Sequence, residues 1–226
     1  MYSLLSGAKE ATGTVVIIDV YRAFTTAAVA FSRGAKEIIL VAEVEEALKL
    51  REDGLGELCV GEVDGIKPLQ FDMGNSPHEI ANTDVAGKIL IQSTRAGTVG
   101  VNAAINADTI YAVSLVNASA TARSIISSNP EVVSIVAMGS AGKYKTDEDE
   151  QCGFYLRNLI QGRKPNYNSI VDLVEAGGES QKFSDPTLPH FHPNDKKWAL
   201  SIDYFDFAIS VHKENNLLIA KPRYEA

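Results

Sequence analysis

Short apolar runs alternate along the chain with longer stretches in which apolar and polar residues recur at helical spacing. The runs are rich in valine and isoleucine, and residues 15–18 are continuously apolar, as in a strand buried on both faces. Strands are predicted at residues 14–20, 38–41, 58–60, 88–92, 109–113 and 132–138. Helices are predicted between them at residues 22–32, 44–53, 76–81, 96–105 and 117–127. The alternation indicates an α/β fold, with three α/β/α layers around a mixed, largely parallel central sheet.

The last third of the chain is patterned more weakly. Residues 162–198 are rich in Pro, Asn, Gly and Ser. No repeat, low-complexity tract or linker interrupts the sequence, so we expect a single domain over residues 1–226, in which residues 162–226 have no assigned role. The elements predicted in this third are helices at residues 146–161 and 170–176 and a terminal hairpin of residues 207–211 and 217–220.

The composition narrows the classes of partner. The chain has 226 residues, 45% of them hydrophobic, with 21 basic against 29 acidic residues and a net charge of −8. Without a basic cluster, a nucleic-acid partner would lack its electrostatic footprint. An anionic ligand would depend on locally placed cations or a metal. The apolar, aromatic stretch 198–211 could cover the domain's own core or a second copy, and a homodimer is the default expectation for association.

The cysteines and the N-terminal residues indicate the cellular compartment in which we expect the protein. Cys59 and Cys152 form neither a disulfide framework nor a CxxC metal pair. The N-terminal residues lack a basic region followed by an apolar run, and no apolar segment approaches the roughly 20 residues that span a bilayer. We therefore expect a protein of the reducing cytoplasm with no membrane partner.

Glycines, carboxylates and a lysine are concentrated between residues 61 and 79. Residues 62–74 are long for a connection inside a compact domain, where about 4 to 6 residues is usual. We interpret this segment as a functional loop. Its candidate residues are Glu62, Lys67, Asp72 and, at its end, Asn75.

The end of this segment predicts a helix start. Ser76 is the expected N-cap, Pro77 the first helical residue and Glu79 the capping-box partner. Ser76 and Glu79 are therefore interpreted as structural.

Polar residues also follow the other predicted strands. In α/β sheets ligands bind beyond the carboxyl ends of the strands. Glycine-rich turns that lead into helices expose N–H groups that bind anions, and arginine can hold two oxyanion oxygens at once. The candidates for binding a phosphate or substrate anion are Arg22, Thr25, Lys67, Asn75, Arg95, Gly97, Thr98 and Lys143.

Carboxylates among these strand ends predict a Mg²⁺ site. Asp19, Glu62 and Asp72 would repel a bound phosphate unless a divalent cation lay between them. Mg²⁺ typically takes one or two carboxylates together with waters and substrate oxygens. We assign these three residues as catalytic and metal-binding candidates, with Glu148 and Asp149 ranked below them. Asp19 is either a metal ligand or a nucleophile, since both roles need an ionised carboxylate.

Each candidate also has a structural interpretation. Asp19 could cap the helix that follows it, and Arg95 and Lys143 could be solvated surface cations. The acidic run 147–150 could be the solvated first turn of a helix, with one member facing the site.

Several standard motifs do not fit. Residues 139–143 resemble a phosphate-binding P-loop, but two residues separate the glycines where four are required. There is no GxGxxG after the first strand and no GxSxG elbow. Of the four histidines, only His190 and His192, with Asp195, form a candidate metal cluster. We do not favour it, because it lies in the weakly patterned third.

Six short motifs form an ordered set along the chain. They are residues 16–23 with Thr25 and Thr26, then Gly61-Glu62, residues 71–79, residues 93–98, residues 116–120, and Glu148-Asp149 with Cys152-Gly153. In this order the chain resembles the 2-phosphosulfolactate phosphatase family over about residues 15–153. The resemblance implies a three-layer α/β domain, Mg²⁺ as cofactor, and a small phosphoester substrate that also bears a carboxylate and a sulfonate.

We therefore expect a Mg²⁺-dependent phosphatase that hydrolyses a small phosphorylated 2-hydroxy acid. The first candidate is (R)-2-phospho-3-sulfolactate, which would give 3-sulfolactate and phosphate. One alternative keeps this chemistry on a different phosphorylated hydroxy acid. Another is a non-catalytic anion-binding module, which three neighbouring carboxylates would not favour.

Overall fold

One ten-stranded sheet runs through the computed structural model, which describes residues 1–225. The predicted strands are all present, with ends shifted by a few residues. The strands are β1 (Tyr2–Ser3), β2 (Gly13–Ile18), β3 (Glu37–Val41), β4 (Leu58–Gly61), β5 (Met73–Gly74), β6 (Ile89–Ser93), β7 (Ala107–Val113), β8 (Val133–Ala137), β9 (Ala208–Glu214) and β10 (Leu217–Arg223).

The predicted helices are present as well, and others lie in segments without a clear pattern. Over the described residues the α-helices are α1 (Leu4–Glu10), α2 (Ala23–Ser32), α3 (Val44–Glu52), α4 (Pro77–Ala81), α5 (Gly97–Ala103), α6 (Ala118–Ser128), α7 (Asp147–Ile160), α8 (Tyr167–Ala176), α9 (Gly178–Gln181) and α10 (Pro193–Ala199). Short 3-10 helices lie at Leu115–Asn117 and Lys182–Ser184. The pattern did not predict β1, α1, β5, α9 or α10. Within the described part of the chain, no helix is long and apolar enough to cross a membrane.

The sheet is mixed and mostly parallel, as predicted. Its strand order is β1-β8-β2-β7-β9-β10-β3-β6-β4-β5. Strands β1, β8, β2 and β7 form one parallel block, and β3, β6, β4 and β5 form another. The β9–β10 hairpin lies between them, antiparallel to β7 on one side and to β3 on the other.

The two parallel blocks run in opposite directions, because three antiparallel pairings separate β7 from β3. Their carboxyl ends nevertheless meet. The N–H of Gly97, after β6, donates to Oδ2 of Asp19, after β2, at 2.7 Å. The right-handed twist of a sheet accumulates over many strands, so a ten-stranded sheet curls. This curl brings the ends of both blocks to one place.

Helices cover both faces of the curled sheet. Helix α2 is buried on every side from Ala23 to Phe31, and it packs in the largest apolar cluster with residues of both blocks. Helices α6 and α7 cover the outer face of the first block, and α3 covers that of the second. The aromatic stretch before β9 belongs to this core, since Phe205 and Phe207 are buried in the same cluster as α2.

The helix start at Ser76 follows the prediction in part. Ser76 Oγ accepts from the N–H of Glu79 at 3.1 Å, and Pro77 is the first helical residue. The capping-box partner was predicted wrongly, because Glu79 Oε2 accepts from the N–H of Gly74 at 2.8 Å rather than from Ser76. Glu79 thus anchors β5 to α4.

Candidate active site

A cavity of about 340 Å³ lies where the carboxyl ends of β2, β4, β6 and β8 converge. Asp19 follows β2, Glu62 follows β4, and Arg95 follows β6. Gly139 follows β8, and the remaining wall comes from the C-terminal third. These strand ends therefore line one cavity, because the sheet is curled.

Asp19 is fixed between the first turns of two helices. Its Oδ1 accepts from the N–H of Ala23 in α2 at 3.0 Å, and its Oδ2 accepts from Gly97 in α5 at 2.7 Å. A Cβ on Gly97 would lie 2.9 Å from both Asp19 Oδ2 and Ala23 Cβ, so this close approach requires glycine. The structural interpretation of Asp19 as a helix cap is therefore correct, and the same carboxylate lines the cavity.

Glu62 is fixed in the same way. Its Oε2 accepts from the N–H of Gly65 and its Oε1 from the N–H of Arg95, each at 2.7 Å. Two backbone donors fix the orientation of this carboxylate. Each oxygen keeps a further lone pair, which a cation could use.

The carboxylates of Glu148 and Asp149 have different surroundings. Both are buried, but Glu148 lines the cavity, whereas Asp149 accepts from the N–H groups of Val20 at 2.7 Å and Gly139 at 2.8 Å. Asp149 thus ties together the strand ends of β2 and β8. Glu148 is the member of the predicted acidic turn that faces the site.

Burial disfavours ionisation of these carboxylates. It raises the pKa of Asp19 to about 6, an effect that the N–H donors of Ala23 and Gly97 oppose. Burial likewise raises the pKa of Glu148 to about 7. The pKa of Asp149 is raised well above its usual range by burial and by the neighbouring Glu148. Carboxyl groups that titrate near neutrality in a cavity are typical of catalytic sites.

The cavity carries more negative than positive side chains. Its carboxylates are Asp19, Glu62, Asp64, Glu148 and Glu179, and its cations are Arg22, Arg95 and Lys182. An anionic ligand would meet this excess of negative charge unless a cation accompanied it.

Asn75 supplies a neutral oxygen ligand at the cavity. The side chain is 5% exposed and lines the cavity, and its buried Oδ1 has no hydrogen-bond partner among residues 1–225. A buried amide oxygen without a partner costs free energy, about 1 to 3 kcal/mol. A bound cation or a donor on a ligand would satisfy it.

These groups fit a Mg²⁺ ion that is only partly coordinated by protein. Within residues 1–225, no three His, Cys, Asp or Glu side chains converge closely enough to form a metal site by themselves. Mg²⁺ keeps several waters and uses one or two carboxylates with substrate oxygens. Asp19 and Glu62, which interact electrostatically, together with Asn75 Oδ1, form a donor set of this kind.

Several predicted site residues lie outside the cavity. Asp72 Oδ2 accepts from the N–H of Cys59 at 2.7 Å and pairs with Arg51 at 2.8 Å, so it faces the edge of β4. Lys67 is exposed, and its Nζ contacts the backbone oxygen of Asp72 at 3.4 Å. Lys143 is exposed and is not part of the cavity wall.

The two predicted threonines are buried in the supporting structure. Thr25 Oγ1 contacts Val20 O at 2.8 Å and Ser114 Oγ at 2.6 Å. Thr98 Oγ1 accepts from the N–H of Thr94 at 2.8 Å, at the turn into α5. Both hydroxyls hold the backbone that presents Asp19 and Arg95, rather than facing the cavity.

Sequence reasoning missed the wall that the C-terminal third provides. Glu179, Lys182, Leu188, His190 and Phe191 line the cavity. They lie in short helices and turns without hydrophobic periodicity, so no pattern placed them there. Among residues 1–225, His190, His192 and Asp195 do not converge as a metal cluster, and the ring of His192 stacks on His78 with centroids 4.2 Å apart.

Comparison with known proteins gives the class. The family model described as 2-phosphosulpholactate phosphatase matches residues 2–182. A protein of Bacillus subtilis named probable 2-phosphosulfolactate phosphatase is 31% identical over 205 residues, covering 89% of this chain and 88% of the relative. Proteins of the same name in Caldanaerobacter subterraneus and Clostridium acetobutylicum are 32% and 37% identical, covering 85% and 76% of this chain and 85% and 72% of the relatives.

An α/β fold with titratable carboxylates and cations at converging strand ends, together with these relatives, defines a phosphoric monoester hydrolase. The chain belongs to the 2-phosphosulpholactate phosphatase family.

Proposed function

We propose that this protein is a Mg²⁺-dependent phosphatase that hydrolyses 2-phosphosulfolactate to 3-sulfolactate and phosphate. The observation that carries the proposal is the acidic cavity in which Asp19 and Glu62 are each fixed by two backbone N–H groups beside Arg22 and Arg95. The names of the relatives support the substrate.

A substrate with several anionic groups would need the cations of the cavity together with a bound Mg²⁺ ion, because carboxylates outnumber cations in its wall. Phosphosulfolactate carries a phosphate, a carboxylate and a sulfonate, and each needs a positive partner. Arg22, Arg95 and Lys182 line the cavity and supply fixed positive charge. Arginine suits such oxyanions because its planar fork binds two oxygens at once.

Asp19, Glu62 and Asn75 would hold the Mg²⁺ ion. When bound, the ion would neutralise charge on phosphoryl oxygens and make water a better nucleophile. Asp19 then has either of two roles, as a ligand or as the nucleophile that attacks phosphorus, and both need its ionised form.

Glu148 is the residue we assign to proton transfer. With a pKa of about 7, its carboxyl group changes protonation state near neutral pH, as efficient general acid–base catalysis requires. In hydrolysis a bond forms between a water oxygen and phosphorus, and the bond from phosphorus to the ester oxygen breaks. Glu148 takes the proton that the water loses, or returns one to the hydroxyl oxygen of the departing 2-hydroxy acid.

A panel of phosphoesters tests the substrate. Wild-type protein with Mg²⁺ should give its highest kcat/KM on 2-phosphosulfolactate, above phospholactate, phosphoglycerates and p-nitrophenyl phosphate. A higher value for a different phosphorylated hydroxy acid would keep the chemistry and replace the substrate. Binding without phosphate release, across the whole panel, would refute the proposed activity.

A further inference from the structure

The guanidinium group of Arg22 is held by a segment near the C-terminus. Its Nη1 donates to the backbone oxygen of His190 at 2.7 Å and to Oδ2 of Asp195 at 2.9 Å. The ring of Phe191 lies against it, 4.6 Å from ring centroid to guanidinium carbon. We call His190, Phe191 and Asp195 the Arg22 clamp. All three lie beyond the family-model match, which ends at residue 182.

Asp195 joins the clamp to a second part of the site. It is 0% exposed, and its Oδ1 accepts from Ser76 Oγ at 2.7 Å and from the N–H of His78 at 2.9 Å. Ser76 directly follows Asn75, whose amide oxygen has no hydrogen-bond partner in the described part of the chain. One carboxylate in α10 therefore fixes both Arg22 and the start of α4.

The clamp leaves one edge of the guanidinium for a ligand. Nη1 uses both of its hydrogens on His190 and Asp195, and Nη2 donates to Gly65 O at a longer 3.3 Å. These contacts use neither Nε nor the second hydrogen of Nη2, and Arg22 lines the cavity. An arginine with one side fixed by a carboxylate is pre-organised to hold an oxyanion on the other.

We propose that Asp195 is a positioning residue that, with the rest of the Arg22 clamp, holds the guanidinium where it binds an anionic group of the substrate. The inference rests on the proposed phosphatase function for the identity of that substrate. In this role Asp195 acts through the Oδ2 contact to Arg22 and touches no reacting atom, while its Oδ1 holds the start of α4. A purely structural ion pair would stabilise the fold and leave substrate affinity unchanged.

The test compares Asp195→Asn with a matched control. Asparagine keeps the size of the side chain but removes the charge that orients Arg22. Asp206→Asn is the control, because Asp206 forms an exposed ion pair with Arg123 outside the cavity. We expect Asp195→Asn to raise KM about tenfold with kcat within about threefold, and Asp206→Asn to change neither.

A double variant separates positioning from a general structural effect. If Asp195 acts only through Arg22, then Arg22→Ala and Arg22→Ala with Asp195→Asn should have the same KM within about twofold. Unchanged KM in Asp195→Asn, or losses that multiply in the double variant, would overturn the proposal. If Asp195→Asn does not fold by circular dichroism, Phe191→Leu replaces it; KM should rise severalfold, and an unchanged KM would equally overturn the proposal.

Binding of inorganic phosphate keeps this test independent of turnover. Calorimetry with Mg²⁺ present should give a Kd about tenfold weaker for Asp195→Asn than for wild type and for Asp206→Asn. If wild type hydrolyses no phosphoester and this difference persists, the proposed function fails and the positioning role stands. If wild type hydrolyses phosphosulfolactate and the Kd values are equal, the positioning role fails and the function stands.

Discussion

Asp19 combines a structural and a chemical role in one carboxylate. Its two oxygens cap the first turns of α2 and α5, and the same group lines the cavity between Arg22 and Glu62. From sequence these roles looked like alternatives. They are compatible because a carboxylate oxygen has two lone pairs, one for a backbone N–H and one for a ligand.

At the same scale, the pKa of Glu148 predicts how stability depends on pH. A folded-state pKa of about 7, above the usual value of 4.5, means that the folded protein binds a proton that the unfolded chain has lost. This contribution is present below about pH 4.5 and is lost as pH rises through about 7. Glu148→Gln mimics the protonated form, so relative to wild type it should gain stability between pH 5 and pH 8, by about 3 kcal/mol at most.

Denaturant unfolding of both proteins without metal, at several pH values, measures this difference. The exposed carboxylates are common to both proteins and cancel. A difference that stays constant from pH 5 to pH 8 would contradict the raised pKa.

For Asp72 we predict that a substitution leaves the activity unchanged. Its carboxylate accepts a hydrogen bond from the N–H of Cys59 and forms an ion pair with Arg51 at the edge of β4, outside the cavity. Asp72→Asn should therefore keep kcat/KM within about threefold of wild type and lose about 1 kcal/mol of stability. A hundredfold fall in kcat/KM, with normal circular dichroism, would contradict this prediction and show that Asp72 contributes to catalysis.

At the scale of elements, turns with positive φ position the residues that line the cavity. Gly61 ends β4 at φ 152°, where a Cβ would lie 1.8 Å from the backbone oxygen of Ser93 in β6. This close approach brings Glu62 to within hydrogen-bond distance of the N–H of Arg95. The sequence predicted a functional loop here, but it did not predict that Gly61 allows the ends of β4 and β6 to contact each other.

Gly61→Ala should therefore be strongly destabilising, by more than about 3 kcal/mol, because the clash is with backbone. Gly54→Ala is the matched control: Gly54 also has positive φ, but none of the described residues lies within 4 Å of an added Cβ. It should lose only about 1 kcal/mol. Equal thermal stabilities of the two variants would contradict the proposed contact.

Elements with strong periodicity were predictable, and elements fixed by tertiary contacts were not. The continuously apolar run before Asp19 indicates a buried strand, which was predicted at residues 14–20 and is present as β2 (Gly13–Ile18), two residues shorter at its carboxyl end. Helix α10 has seven residues, and its place depends on Asp195 pairing with Arg22, 173 positions away in the chain. Contacts of that separation leave no local pattern, so the cavity wall from Glu179 to Phe191 had no sequence signal.

At the scale of the molecule, the terminal hairpin joins two parallel blocks. The sequence predicted the hairpin but not its place in the middle of the sheet, since strand order depends on which edges meet in three dimensions. Residues 205–211 cover the protein's own core, which was one of the two expectations for this stretch. A homodimer stays a prediction, and light scattering would test it.

Removing the hairpin should abolish folding rather than trim the protein. A chain ending at residue 206 exposes the edges of β7 and β3 and loses the buried Phe207, Ile209 and Ala220. Unpaired edges and lost apolar burial should leave it aggregated or unfolded. A soluble truncated protein with a cooperative thermal transition would show that the two blocks do not need the hairpin.

The most direct test of the account is phosphate release from 2-phosphosulfolactate by wild type and by Asp19→Asn, each with Mg²⁺ and with excess EDTA. Wild type should release phosphate only with Mg²⁺. Asp19→Asn should stay folded, at a cost of about 1 to 3 kcal/mol for an imperfectly paired Gly97 N–H, and lose at least about a thousandfold in kcat/KM. Full release in EDTA, or full activity of folded Asp19→Asn, would contradict the account.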